Sequence, residues 1–237
     1  MQQLEQQQHD EAKIVAIRAE LPAAQAFAYL NTGTNGPFPR RSYETLVEYA
    51  RAELETGRIG KHVFERLIKT RNETRDALAV VLGCDANDIA LTHNTTEGVN
   101  IALMGLDWRP GDEVITASTE HPGVLYPVAL LRQRYGVRIR MTDIGQNGHD
   151  PVAVLRSALS SRTRAVVLSH VSWASGMVLP MREIADETHR AGAVLICDAA
   201  QACGMVPSQV NDLGVDAYAC SGQKWLCGPD GTGALFV

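Results

Sequence analysis

Lysine is rare in this chain, and the last one keeps unusual company. Lys13, Lys61, Lys69 and Lys224 are the only four, and arginine carries most of the other positive charge. Lys224 lies in SGQKWLCGPDGTG, residues 221–233, beside Trp225, Leu226 and Cys227. An amine among apolar neighbours has its protonated form disfavoured, the condition Schiff-base chemistry needs. The alternative is a lysine whose stem lies along a helix edge with its charge in water. Upstream, Asp198 ends the apolar run VLICD. A carboxylate there must meet a cation or a donor, either a protonated ring nitrogen or the N–H groups of the following turn. His121, in STEHPG, stands between an apolar run and a helical pattern, as a rim residue or a ligand-facing one. NTTEG, residues 94–98, brings hydroxyls and backbone N–H groups to a helix start. That is either an anion cradle or a plain N-cap with Glu97 closing a capping box.

These residues form one site only if the fold collects them. From residue 88 the pattern alternates, with strands expected at 88–93, 112–118, 137–143, 164–172, 193–200, 214–222 and 233–237. Most are separated by helical stretches, and the central ones are nearly continuous apolar runs, as strands covered on both faces are. The expected fold is α/β, a three-layer αβα sandwich around a mostly parallel seven-stranded sheet. GALFV follows PDGTG too closely for a crossover helix, so it is expected to pair antiparallel at an edge. A chain that stops there leaves a bare edge or belongs to a longer polypeptide. Ligands of open α/β sheets sit at the carboxyl ends of the strands. His93 to Glu97, Ser118 to His121, His170, Ser172, Asp198 to Gln201 and Ser221 to Lys224 all fall there. This rim has an anion cradle, an imidazole, a carboxylate and an amine. Pyridoxal phosphate needs its phosphate held, its ring stacked, its pyridine nitrogen protonated and its aldehyde captured. His93 and His170 share the rim, but their spacing does not call for a metal.

Residues 1–22 read as a polar surface helix, and 28–40 as turns rich in Gly and Pro; 41–82 are helical with a break at GRIG. The N-terminus lacks the basic and apolar regions of a secretory signal. Apolar content of 45% and charged content of 21% describe an ordinary globular protein. A net charge of -5 without a basic cluster argues against a nucleic-acid surface, and no run is long enough for a membrane helix. Five cysteines, mostly in apolar runs, read as free thiols of a cytoplasmic protein.

From AYLNTGTNGP onward, the order of NTTEG, TEHPG, HVSWASG, CDAAQ and SGQKW resembles the class V, fold type I aminotransferases, a family that includes cysteine desulfurases. The resemblance is nearest to the isopenicillin-N-epimerase-like group. It implies an N-terminal helical segment, 1–27, and a cofactor-binding large domain, 28–237, in a homodimer that acts on a small amino-acid substrate. It implies that Lys224 forms the internal aldimine with pyridoxal phosphate and that Asp198 pairs with the ring nitrogen. His121 would stack on the ring, and Gln201 would lie near its phenolic oxygen. Thr95, Thr96 and Ser221 would contact the phosphate, while Asn35, His170, Ser172 and Trp173 would face the substrate. Gln223 and Trp173 replace the histidine and asparagine usual in desulfurases, which bears on the substrate pocket. The family's small C-terminal domain, with its carboxylate-binding arginine and sulfur-accepting cysteine, would fall beyond Val237. An aminotransferase-like enzyme of unresolved outcome is the first expectation. A cysteine desulfurase or C–S lyase is the second, and a truncated or non-catalytic relative is the competing class.

Overall fold

The computed structural model describes residues 2–146 and 148–237, with side chains from residue 10 onward. Helices fill the first third: α1 Gln2–Glu20, α2 Pro22–Ala26, α3 Arg40–Thr56 and α4 Lys61–Leu82. The break at GRIG is real. Gly57 and Gly60 flank it with φ of 79° and 110°, conformations that side-chain-bearing residues avoid. Strands and helices then alternate as β1 Ile89–Thr92, α5 Thr95–Met104, β2 Glu113–Ala117, α6 Pro122–Tyr135, β3 Arg138–Thr142, α7 Pro151–Ala158 and β4 Thr163–Ser169. They continue as α8 Met181–Arg190, β5 Val194–Asp198, the single turn α9 Val210–Leu213, β6 Ala217–Ser221 and β7 Gly233–Phe236.

The seven strands form one sheet in the order β1-β7-β6-β5-β4-β2-β3. β2 to β6 are parallel, and β7 runs antiparallel to both neighbours. The antiparallel pairing therefore falls at one edge of the sheet, as the short PDGTG connection requires. The outermost place there belongs to β1 rather than to β7. Ile89 and Tyr218 both pair with Phe236, so β7 is covered on both sides and β1 is the edge strand.

Side chains alternate between two apolar layers, as the pleat dictates. Ile115, Val166, Leu168, Leu195, Cys197 and Tyr218 pack beneath α4, α7 and α8. Val114, Ala165, Val167, Ile196 and Ala219 pack beneath α5 and α6. Gly98 allows α5 to press on β6, since a Cβ there would lie 2.8 Å from the Ala219 methyl. Among the described residues no helix is long and apolar enough to cross a membrane.

β4 ends at Ser169, three residues before the expected limit. The chain beyond folds back on itself instead. The Leu179 N–H donates to the His170 carbonyl at 2.8 Å, and the Ser172 N–H donates to the Met177 carbonyl at 2.9 Å. Local apolar content could not show this reversal, because a hairpin lobe and a strand extension both favour Val171 and its neighbours.

Candidate active site

Lys224 leaves the end of β6 in a tight loop. The Cys227 N–H donates to the Lys224 carbonyl, and the Gly228 N–H to the Gly222 carbonyl, at 3.0 and 2.7 Å. Cys227 takes a φ of 54°, a left-handed value unusual for a residue with a Cβ. From the N-terminal side, Gly36 donates its N–H to the Gln223 carbonyl at 2.7 Å. A Cβ on Gly36 would lie 2.2 Å from the Lys224 carbonyl oxygen, so only glycine fits this approach. The lysine backbone is thus clamped while its amine stays half-buried. Burial lowers the Lys224 pKa, and the Asp198 charge opposes that shift. An amine in this state is more often neutral, hence more nucleophilic, than one in water.

Asp198 closes β5 with 5% of its surface exposed. Burial raises its pKa; the Ala200 N–H, donating to Oδ1 at 2.8 Å, opposes this, as do the nearby Lys224 and His121. The carboxylate also caps the next turn through that bond, as one of the two alternatives of the sequence reading has it. A buried acid with one donor and no bonded cation among the described residues retains capacity for a cationic partner.

The start of α5 lies next to this pair. Asn94 caps the helix by accepting from the Glu97 N–H at 2.9 Å, and Glu97 returns a bond to the His93 N–H at 2.6 Å. This reciprocal cap fixes the helix start. Thr95 joins it to β6: its N–H donates to Ser221 Oγ at 3.0 Å, and the two hydroxyls lie 2.6 Å apart. Asn94, Thr95, Thr96, Ser221, Gln223, Lys224, His121 and Asp198 surround a cavity of about 150 Å³. Gln223 Oε1 is buried without a hydrogen-bond partner among the described residues.

A larger cavity of about 620 Å³ adjoins, and Lys224 and His121 line both. His121 caps α6, its Nδ1 accepting from the Gly123 N–H at 3.0 Å. Its ring meets Trp173 edge to face, with centroids 5.4 Å apart. Trp173 is held in turn by donating its indole N–H to the Thr119 carbonyl at 2.9 Å. Ser172, Trp173, Met205, Gln201 and Trp225 form other walls. The Gln201 amide spans the cavity floor, donating to the Gly33 carbonyl and accepting from the Trp225 indole at 2.9 and 2.8 Å. It ties the N-terminal loop to the lysine loop.

Two expected substrate-side residues lie elsewhere. His170 is 4% exposed and faces the core, with Nδ1 2.9 Å from the Tyr218 hydroxyl. Burial lowers its pKa to about 4, so it is a neutral packing residue. It alternates away from the cavity because the hairpin lobe turns just after it. Asn35 lines a separate cavity behind the lysine loop, its amide donating to Asp230 at 3.3 Å. Sequence reading placed Glu120 on the rim within Ser118 to His121 but gave it no role; it is the buried neighbour of His121 in the turn after β2. Unlike Asp198, it does not end its strand but follows β2 by three residues, in the turn that leads into His121, so no apolar run marks it.

Residues 28–237 match the family described as "Aminotransferase class-V". A "Probable cysteine desulfurase" of Methanothermobacter thermautotrophicus is 31% identical over 221 residues, covering 93% of this chain and 55% of that protein. "Isopenicillin N epimerase" of Streptomyces clavuligerus is 29% identical, with coverages of 88% and 52%. The chain thus spans about half the length of these curated relatives. Among solved structures, the cystine C–S lyase C-DES in complex with cysteine persulfide superposes with a TM-score of 0.87 at 33% identity, covering 92% of this chain and 58% of that one. A mutant of C-DES, with glycine covalently linked to its PLP cofactor, gives a TM-score of 0.89 at 33% identity, covering 93% and 59%. By its sequence and by its fold, this chain belongs to the class V aminotransferase family.

Proposed function

We propose that this protein is a pyridoxal-phosphate enzyme that cleaves the C–S bond of a cysteine-derived amino acid. The carrying observation is the convergence of the Lys224 amine, the Asp198 carboxylate and the α5 start on two adjoining cavities. Those groups fit the cofactor. Thr96 and Ser221 offer hydroxyls, and the helix start offers N–H groups and a positive dipole end, to a phosphate. Asp198 offers charge to a ring nitrogen, and His121 offers a flat wall. Bound pyridoxal phosphate supplies an aldehyde that captures amines and a ring that withdraws electrons from an α carbon. Lys224 supplies the amine for that aldehyde and the base for the α proton, both favoured by its lowered pKa.

The aminotransferase-like reading ranked first on the sequence gives way here to the C–S lyase or desulfurase reading ranked second. The similarity to C-DES and to cysteine desulfurases supports it. We take residues 28–237 as the cofactor-binding domain and 1–27 as an appended helical segment. The family resemblance supports a homodimer, and exposed Tyr43, Leu46, Leu54, Phe64 and Ile68 on α3 and α4 give it apolar surface to bury. The free thiols support a cytoplasmic setting.

The test is an absorbance spectrum with pyridoxal phosphate, followed by borohydride reduction and peptide mapping. A visible band and an adduct on Lys224 are expected. Cystine, cysteine and S-substituted cysteines are then assayed for pyruvate and sulfur products beside ordinary amino acids. Amino-group exchange without C–S cleavage would return the assignment to an aminotransferase.

A further inference from the structure

Glu120 is a buried carboxyl to which the site as described gives no role. It lies in the turn that follows β2, directly before His121, and is 5% exposed. Its Oε1 accepts from the Ser169 N–H at 2.8 Å, and its Oε2 bonds the Ser169 hydroxyl. Ser169 is the last residue of β4 and stands in register with Asp198 on β5. One side chain therefore joins the turn that carries His121 to the strand beside Asp198. No cation bonds Glu120 among the described residues. The groups that face it are Asp198 and Cys197 on β5, with His121 and Lys224 beyond Asp198. Burial disfavours the charged form of both carboxyls, and at Glu120 the Asp198 charge adds to it.

We propose that Glu120 is a positioning residue that works as a neutral acid: it locks the His121 turn to β4 through Ser169 and leaves Asp198 as the carboxylate that carries the charge of the site. The assignment of the proton has a physical cause. Burial, reinforced by the Asp198 charge, raises the Glu120 pKa to about 7 against the pull of its bonds to Ser169. Asp198 has Lys224 and His121 as compensating neighbours, which Glu120 lacks. The inference rests on the proposed pairing of Asp198 with the cofactor ring, but the Glu120 proton is testable without cofactor.

The experiment is infrared titration of the cofactor-free chain, in the region of buried protonated carboxyls, for the parent, Glu120→Gln and Asp198→Asn. The expected band is present at pH 6, fades above pH 8, disappears in Glu120→Gln and survives in Asp198→Asn. A band that survives Glu120→Gln, or no band in the parent, overturns the proposal. Cofactor affinity is read alongside. Glu120→Gln keeps it within about twofold, and Glu120→Ala, which orphans the Ser169 N–H, weakens it about tenfold. Equal weakening by both substitutions would also overturn the positioning role. A parent with the band but no affinity for pyridoxal phosphate would instead sink the cofactor reading and leave the Glu120 proton standing.

Discussion

The two rims of the parallel sheet treat their buried carboxylates in opposite ways. At the amino ends of the strands, Glu113 accepts from Arg162 at 3.1 Å and from the Ser160 hydroxyl at 2.6 Å. Glu187 bonds both Arg156 and Arg190, which hold its pKa at about 2. At the carboxyl ends, Asp198 and Glu120 are buried with raised pKa values and, among the described residues, no bonded cation. A rim that only closes the fold satisfies its charges internally. One that receives a charged ligand leaves them partly unmet, at a cost in stability that the ligand can offset.

The contrast is broken most severely by Lys224→Ala. Loss of the amine is expected to abolish the covalently held cofactor and to cut turnover by about 10³-fold, as measured by the visible band and product release. Retention of a reducible adduct would deny Lys224 its role. Next, Asp198→Asn and Glu113→Gln should act in opposite senses. The first should lower turnover by about 10²-fold or more while raising stability by about 1 kcal/mol, because a buried charge is removed. The second should lower stability by about 1 kcal/mol and leave turnover alone. Urea melts beside steady-state rates decide between them.

The rims also answer pH with opposite signs. Glu120 has a raised folded pKa, so its contribution is fully present below its ordinary value of 4.5 and is lost as pH rises through about 7. That shift corresponds to about 3 kcal/mol. Glu187 has a lowered one, so its contribution is present above 4.5 and is lost as pH falls towards 2. Denaturation profiles should lose their neutral-range slope in Glu120→Gln and their acid limb in Glu187→Gln. The smallest effect is expected at His170. Replacing it with phenylalanine removes the bond to Tyr218 and should cost about 1–2 kcal/mol of stability without changing cofactor affinity beyond about twofold. A large loss of affinity would put His170 back on the substrate side.

Much of this was legible in one dimension. Alternation at 88–237 gave the layers, because a strand covered on both faces must be apolar throughout and its helices must follow at fixed intervals. Strand-end polar residues gave the rim, because topology sends every parallel strand's carboxyl end to the same side. His170 left the cavity wall for one reason. Where a chain leaves its strand, a single reversal decides which side of the wall a residue takes, and the reversal at 170–179 is closed by backbone bonds that no side-chain pattern announces.

By itself, then, the sequence determined the chemistry on offer: an amine among apolar residues, an acid closing a strand and a capped helix start that donates N–H groups. Local composition suffices for these, because burial and capping act within a few residues. Tertiary structure decided the rest. It set β7 between β1 and β6, seated Gly36 on the Lys224 carbonyl, turned His170 inward and brought Glu120 to Ser169 across 49 residues. Each of these contacts joins distant segments, and the free energy of such a contact depends on packing that only the folded chain provides.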